Sequence, residues 1–248
     1  MKYNLKIIIL VIILLYILYY NSENYETTLK SRTLEKDGFM TFYNPNYSEQ
    51  THHYPSDQLQ KDVLNFLPPG YMFIDYVYKI NNGSLSTFHR DVTSSKNIFG
   101  TKHTVYTLIL YKYNGDFLSV CPGSNKSYPF VWSKIVNIHG KSGTAFLFDC
   151  DLLHAGQMSQ CKERKVIQYK LCHIDDLDKL KSLQNVYVKK NNNNCSDTIY
   201  NKLKRKCSYF FEMPINYFAY PLMIKRENPN SFVGMIQSFI PLNFYNNV

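Results

Sequence analysis

Two histidines and one carboxylate are the protein ligands of a facial iron triad. This chain offers that set in order, as His89-Arg90-Asp91 and then His154 far downstream. Such a triad fills one face of an octahedral Fe(II) and leaves the opposite face open for a cosubstrate and oxygen. Arg164 follows ten residues after His154. A guanidinium there could grip a remote carboxylate of the cosubstrate through two parallel hydrogen bonds. Each residue also has a plainer reading. His89 could be a satisfied strand histidine, and Arg164, within Lys162-Glu163-Arg164-Lys165, could be surface charge. The ordered set is what favours the metal.

A His-x-Asp pair can aim at one ion if alternate residues face the same way, as they do in an extended strand. Tyr71–Ile80 is β-branched and aromatic, Asn82-Gly83 is a hairpin signal, and Ser84–Val92 reads as the return strand carrying His89 and Asp91. His103–Tyr113 predicts another strand, with Asn114-Gly115 as a turn and Asp116–Cys121 as its partner. Phe130–Ile138 and Gly143–Cys150 predict two more, and His154 then falls at a strand end or turn. Arg164–Ile174 is the last strong strand. About eight strands with tight turns predict a mainly β (α+β) fold, a double-stranded β-helix or jelly roll whose mouth can house a metal. Flanking helices are expected at Ser56–Leu67, with Ser56 as N-cap and Pro68-Pro69 as stop, and from Asp175 to about Gln184.

The chain has 248 residues, of which 45% are hydrophobic. That is enough for one substantial core and excludes global disorder. Ile7–Tyr20 is 14 residues without a charge. At 1.5 Å per residue it spans about 21 Å, which a snorkelling Lys6 and interfacial Tyr16, Tyr19 and Tyr20 could extend. Lys2 and Lys6 precede this run, and Glu23 and Glu26 follow it. The expectation is therefore a single-pass transmembrane anchor with a cytosolic N-terminus and a lumenal or extracellular domain. A cleaved signal peptide is the competitor, although Tyr19-Tyr20-Asn21-Ser22 lacks small residues at the usual spacing. The expected organisation is an anchor over 1–22, a stalk over 23–53, the β domain over 54–186, and a C-terminal extension over 187–248 packed on that domain.

An oxidising compartment would suit the six cysteines, and Cys195 and Cys207 could close a short loop. Cys150 and Cys172 lie in apolar runs and read equally well as buried thiols. Asn46, Asn82, Asn125 and Asn194 each begin an Asn-x-Ser sequon, which matters only after translocation. Net charge is +9, and residues 162–206 hold 12 Lys/Arg against 5 Asp/Glu. That is a solvated basic surface or a face for an acidic partner. No nucleic-acid motif accompanies it, so nucleic acid is not expected as a partner.

Five pieces taken together resemble the 2-oxoglutarate/Fe(II)-dependent dioxygenases, with the prolyl-hydroxylase and phytanoyl-CoA-hydroxylase branches most similar. They are Phe88-His89-Arg90-Asp91, Phe117–Ser124, Gly143–Asp149, Leu153-His154-Ala155-Gly156 and Arg164. The resemblance spans about residues 70–173. It implies Fe(II) on His89, Asp91 and His154, and 2-oxoglutarate as cosubstrate with its far carboxylate on Arg164. It also allows ascorbate as an auxiliary reductant. Tyr106 stands where the family often places a hydroxyl donor to that carboxylate, with Thr107 and Tyr111 as competitors. Asn125 departs from the phytanoyl-type loop, which would carry a histidine after Pro-Gly-Ser.

The implied activity is a membrane-anchored dioxygenase hydroxylating a protein or peptide side chain, with a small molecule or lipid as other possible substrates. The alternative is a non-catalytic, membrane-anchored jelly-roll binding or envelope protein. His89-Arg90-Asp91 also evokes a kinase catalytic loop, but Lys96 occupies the required Asn position and no Gly-rich loop or Asp-Phe-Gly exists.

Overall fold

The computed structural model describes residues 5–13, 24–27, 31–50, 54–82, 87–91, 94–127, 133–157, 164–191 and 198–210. It is a sheet-rich α+β structure. The strands are β1 (Asn24–Thr27), β2 (Phe39–Tyr43), β3 (Tyr71–Asn81), β4 (Tyr106–Tyr111), β5 (Gly115–Val120), β6 (Val136–Gly140), β7 (Thr144–Asp149), β8 (His154–Gly156), β9 (Lys165–His173) and β10 (Val186–Asn191). One sheet runs β1-β6-β5-β8 and the other β10-β3-β9-β4-β7-β2. The helices are α1 (residues 5–13), α2 (Leu34–Asp37), α3 (Asp57–Leu64), α4 (Lys96–Phe99) and α5 (residues 199–210).

Apolar residues facing between the sheets form the inner core. Phe39, Ile109, Tyr111, Phe146, Phe148 and Val166 come from the larger sheet, and Phe117, Val120, Val136 and Ile138 from the smaller. The alternate residues of the larger sheet, including Leu108, Leu110, Leu147, Ile167 and Tyr169, face outward and pack under α3. Leu59 and Val63 supply that cover because residues four apart share a helix face. The Ser56 side chain caps the helix by accepting from Leu59 N at 3.4 Å. Fully burying each of those side chains contributes about 1.5–3 kcal/mol.

Several expectations change. The segment read as a stalk contributes β1, which pairs with β6, and β2, which pairs with β7. Phe39 is buried and stacks on Phe146 at 5.1 Å. Phe39 faces the inner core while Met40 and Phe42 face the outer one, so β2 has no polar face and no alternation to read. Gly38 turns the chain between α2 and β2 in a left-handed conformation (φ 80°), and a side chain there would collide with Asn125 Oδ1 at 2.5 Å.

The expected hairpin after Asn82 is not what β3 forms. β3 lies between β9 and β10, and Asn82 (φ 56°) donates its backbone N–H to Arg164 O at 2.7 Å. Residues 83–86 lie outside the described residues. β4 and β5, expected as a hairpin, belong to opposite sheets. The helix expected from Asp175 is a 3-10 helix over Ile174–Leu183, with a break at Leu180. β10 was not foreseen. It is a parallel edge strand whose Lys189 and Lys190 read as solvated charge, a composition that also discourages edge-to-edge pairing.

Helix α5 packs across the chain's own His89 segment. Ser208 Oγ accepts from Phe88 N at 2.7 Å, Arg205 donates to Gly156 O at 2.9 Å, and Tyr209 OH donates to Ser133 O at 2.9 Å. Phe210 packs beside them. Cys121, Cys150 and Cys172 are buried thiols. Cys195 and the aromatic residues from 211 onward lie outside the described residues. Helix α1 begins the apolar run of the expected anchor, and residues 14–20 lie outside the described residues. Among the described residues no helix is long and apolar enough to cross a membrane.

Candidate metal centre

His89 is not in a regular strand. It makes a single antiparallel bridge to His154, with His89 N donating to His154 O at 2.9 Å and His154 N donating to His89 O at 3.0 Å. Asp91 N donates to Cys150 O at 2.9 Å. The extended pairing therefore covers both ligand positions, and His89 and Asp91 point the same way while Arg90 points away. Arg90 is buried and donates from one guanidinium nitrogen to Ser124 O at 2.9 Å and Asp151 O at 2.8 Å. The residue between the ligands thus anchors the segment.

His89, Asp91 and His154 bring their ligand atoms within 4.8 Å of one another. Asp91 Oδ1 lies 4.0 Å from His89 Nε2 and 3.7 Å from His154 Nε2. These separations are too long for hydrogen bonds and suit three atoms facing a common ion. The tautomers agree. His89 Nδ1 is 2.9 Å from Thr87 O, and His154 Nδ1 is 2.9 Å from Leu152 O. A carbonyl only accepts, so Nδ1 carries the proton and each Nε2 offers a lone pair to the centre. Burial pushes the His154 imidazole down to about 3, so it stays neutral and able to ligate at ordinary pH.

Burial alone would raise the Asp91 carboxyl, but Lys170, His154 and His89 together hold it well below the usual carboxylate range. Lys170 is the residue that sequence reasoning missed. Its ammonium is 1% exposed and donates to Asp91 Oδ2 at 2.6 Å, Thr107 Oγ1 at 2.7 Å and Ser94 Oγ at 2.8 Å. Thr107 donates to the same Asp91 oxygen at 2.7 Å. Oδ2 is therefore tied back, and Oδ1 alone faces the histidines. The available signal was a lysine between Tyr169 and Leu171 in the interior of β9, on the same strand face as Val166.

Arg164 lies just before β9, two residues from Val166 and so on the inner face. It is 4% exposed, donates to Phe117 O at 3.4 Å, and leaves Nε without a partner among the described residues. Tyr111 pairs with Val166 in the β4–β9 ladder, is fully buried, and its hydroxyl is also unpartnered among the described residues. Burial pushes that phenol far above its ordinary range, partly opposed by the Arg164 charge. Two buried donors without acceptors among the described residues cost stability unless something accepts from them.

Tyr106 does not join them. It packs with the outer core, 5.4 Å ring to ring from Tyr71, and lines a cleft with Met40, Phe66 and Asp149. Thr107 and Tyr111 are one and five residues further along β4 and so fall on the opposite, inner face. Thr107 holds Asp91. Tyr111 stands four residues, about 13 Å, deeper along the strand.

No family model and no curated protein matches the chain. Among solved structures it is similar to EvdMO1, with 14% identity over 58% of this chain and 49% of that one, at a TM-score of 0.43. It therefore spans about half the length of EvdMO1. It is also similar to the non-heme alpha ketoglutarate dependent epimerase SnoN from nogalamycin biosynthesis, with 12% identity over 56% of this chain and 79% of that one (TM-score 0.40). A third is the non-heme monooxygenase ThoJ, with 11% identity over 56% of this chain and 75% of that one (TM-score 0.41). These are distant, partial likenesses.

Proposed function

We propose that this chain is an Fe(II)- and 2-oxoglutarate-dependent oxygenase built on a jelly roll. The observation that carries the reading is the convergence of His89, Asp91 and His154, with both Nε2 lone pairs and Asp91 Oδ1 turned to one point. Two imidazoles and one carboxylate suit Fe(II) and leave positions open. Arg164 Nε and the Tyr111 hydroxyl, buried and unpartnered among the described residues, would receive the far carboxylate of the cosubstrate. When bound, iron and 2-oxoglutarate supply oxygen activation coupled to loss of CO2 and formation of succinate.

The chain's own part is positional. Lys170 and Thr107 fix Asp91 Oδ2. The Thr87 and Leu152 carbonyls fix the imidazole tautomers. The inner core, with the Phe148 ring 4.7 Å from the His154 ring, excludes water from one side of the centre. The finer reading is a dioxygenase that hydroxylates a protein or peptide side chain while tethered to a membrane through Ile7–Tyr20. The charges around that run support it.

The test uses the full chain under anaerobic conditions with Fe(II). Adding 2-oxoglutarate should produce a visible charge-transfer band, and admitting oxygen should then yield succinate. His154→Ala should lose both. Arg164→Ala should need far more 2-oxoglutarate to regain the band. A band of equal strength and affinity in all three proteins would overturn the assignment, and so would no band in a wild-type chain shown to hold iron.

A further inference from the structure

We propose that His103, His173 and Asp175 form a second divalent-metal site, separate from the His89 centre and suited to Zn2+ or a similar transition-metal ion. This site does not depend on the oxygenase reading.

His103 lies in the loop before β4, His173 ends β9, and Asp175 lies in the first turn of the 3-10 helix. Their ligand atoms fall within 4.8 Å of one another. Asp175 Oδ2 is 3.7 Å from His103 Nε2 and 3.6 Å from His173 Nδ1. Both distances exceed a hydrogen bond. Bonds of about 2.0–2.2 Å in a tetrahedral zinc site put ligand atoms roughly 3.3–3.6 Å apart, which is close to what is seen. The two imidazoles stack at 3.8 Å and 28°.

The rings are held in place before any ion arrives. A side chain at Gly70 (φ 93°) would come within 2.2 Å of His173 Nε2, so the ring lies flush on that backbone and its Nδ1 turns toward Asp175. Nδ1 already accepts from Asp175 N at 3.2 Å, which means its lone pair is free of a proton. A metal would replace that long contact. Asp176, fully buried, accepts from Lys102 N and His103 N, each at 2.8 Å, and pins the His103 loop to the start of the 3-10 helix. The Tyr71 ring meets both imidazoles edge-on, His103 at 6.5 Å and His173 at 5.6 Å.

His103 and Asp175 remain open to solvent, leaving a fourth position for water. Two imidazoles and one carboxylate favour Zn2+, Co2+, Ni2+ or Cu2+ over Mg2+ or Ca2+. An ion here would clamp together the ends of β4 and β9, the strands that deliver Thr107 and Lys170 to Asp91.

The experiment is a Zn2+ titration of the full chain against a chromophoric chelator, with Co2+ absorption as the geometric readout. Wild type should bind two ions. His103→Gln and Asp175→Asn should each bind one and lose the intense tetrahedral Co2+ absorption. His154→Ala should keep that absorption while losing the other ion. Zn2+ should raise the melting temperature of His154→Ala but not of His154→Ala/Asp175→Asn. The proposal is overturned if His103→Gln and Asp175→Asn, folded by circular dichroism, keep the wild-type stoichiometry. It is equally overturned if His154→Ala binds nothing.

Discussion

Lys170 Nζ lies 2.6 Å from Asp91 Oδ2, and the lysine is buried to 1% exposure. The carboxylate of the candidate metal centre thus already has a cation on the oxygen turned away from the two histidines. The pair costs desolvation and returns it through charge attraction, and removing one member exposes that balance.

Lys170→Met should therefore destabilise the metal-free chain by about 3–5 kcal/mol, because Asp91 would be left buried without a countercharge. Iron or manganese at the centre would restore positive charge, so the loss should shrink when metal is present. Denaturant unfolding with and without metal measures both. An equal loss in the two conditions would show that Lys170 acts on the fold and not on the centre.

Tyr111→Phe should leave stability within about 1 kcal/mol of wild type, since the hydroxyl it removes has no partner among the described residues. Its effect should fall on 2-oxoglutarate, weakening affinity by roughly ten- to a hundredfold, the worth of a hydrogen bond to a charged group. Tyr106→Phe should change that affinity little, because Tyr106 faces the other side of the sheet. If Tyr106→Phe weakens binding and Tyr111→Phe does not, the inner-face assignment fails.

Asp149 offers a pH signature away from the metal. Burial pushes its carboxyl up to about 6, against an unfolded value near ~3.9. The folded chain therefore binds the extra proton. The stability Asp149 contributes is full below pH ~4 and is lost as pH rises through about 6, a total of roughly 2–3 kcal/mol. His154, buried and neutral, works in the opposite direction over an overlapping range, so the informative quantity is the difference between wild type and Asp149→Asn. That difference should change steadily between pH 4 and 6.5 and flatten above. A flat difference throughout would mean that Asp149 is ionised in the fold at all these values.

The sequons give a test of topology. If the domain is translocated, a glycan is compatible with Asn46, which is exposed. It is not compatible with Asn125, whose side-chain amide donates to Asp149 at 2.8 Å. Mass loss on glycosidase treatment that disappears in Asn46→Gln would support a lumenal or extracellular domain. A glycan mapped to Asn125 in folded protein would contradict the packing around Gly38.

The convergence of His89, Asp91 and His154 was legible because alternate positions and chain order are properties of sequence. The face of β4 was not legible. Tyr-Thr-Leu-Ile-Leu-Tyr is buried on both sides, so polarity does not say which tyrosine looks inward. Only the pairing of Tyr111 with Val166, and of Thr107 with Lys170, settles it. β2 was hidden for the same reason, with apolar contacts on both faces. β10 was hidden for the opposite reason, because an edge strand rich in lysine looks like solvent-facing coil. Lys170 was passed over because a charge in a strand reads as an interruption until the carboxylate it meets, 79 residues earlier, is known.

Ser208 receives the backbone N–H of Phe88, one residue before the first candidate ligand. The candidate centre is therefore braced by a helix that follows β10, the last strand among the described residues. Any shortened chain designed around the strands alone would end too early and would leave the His89 segment held on one side only. The smallest unit in which metal affinity is worth measuring includes residue 210, and a weak or silent truncation would report on that missing brace instead of on the ligands.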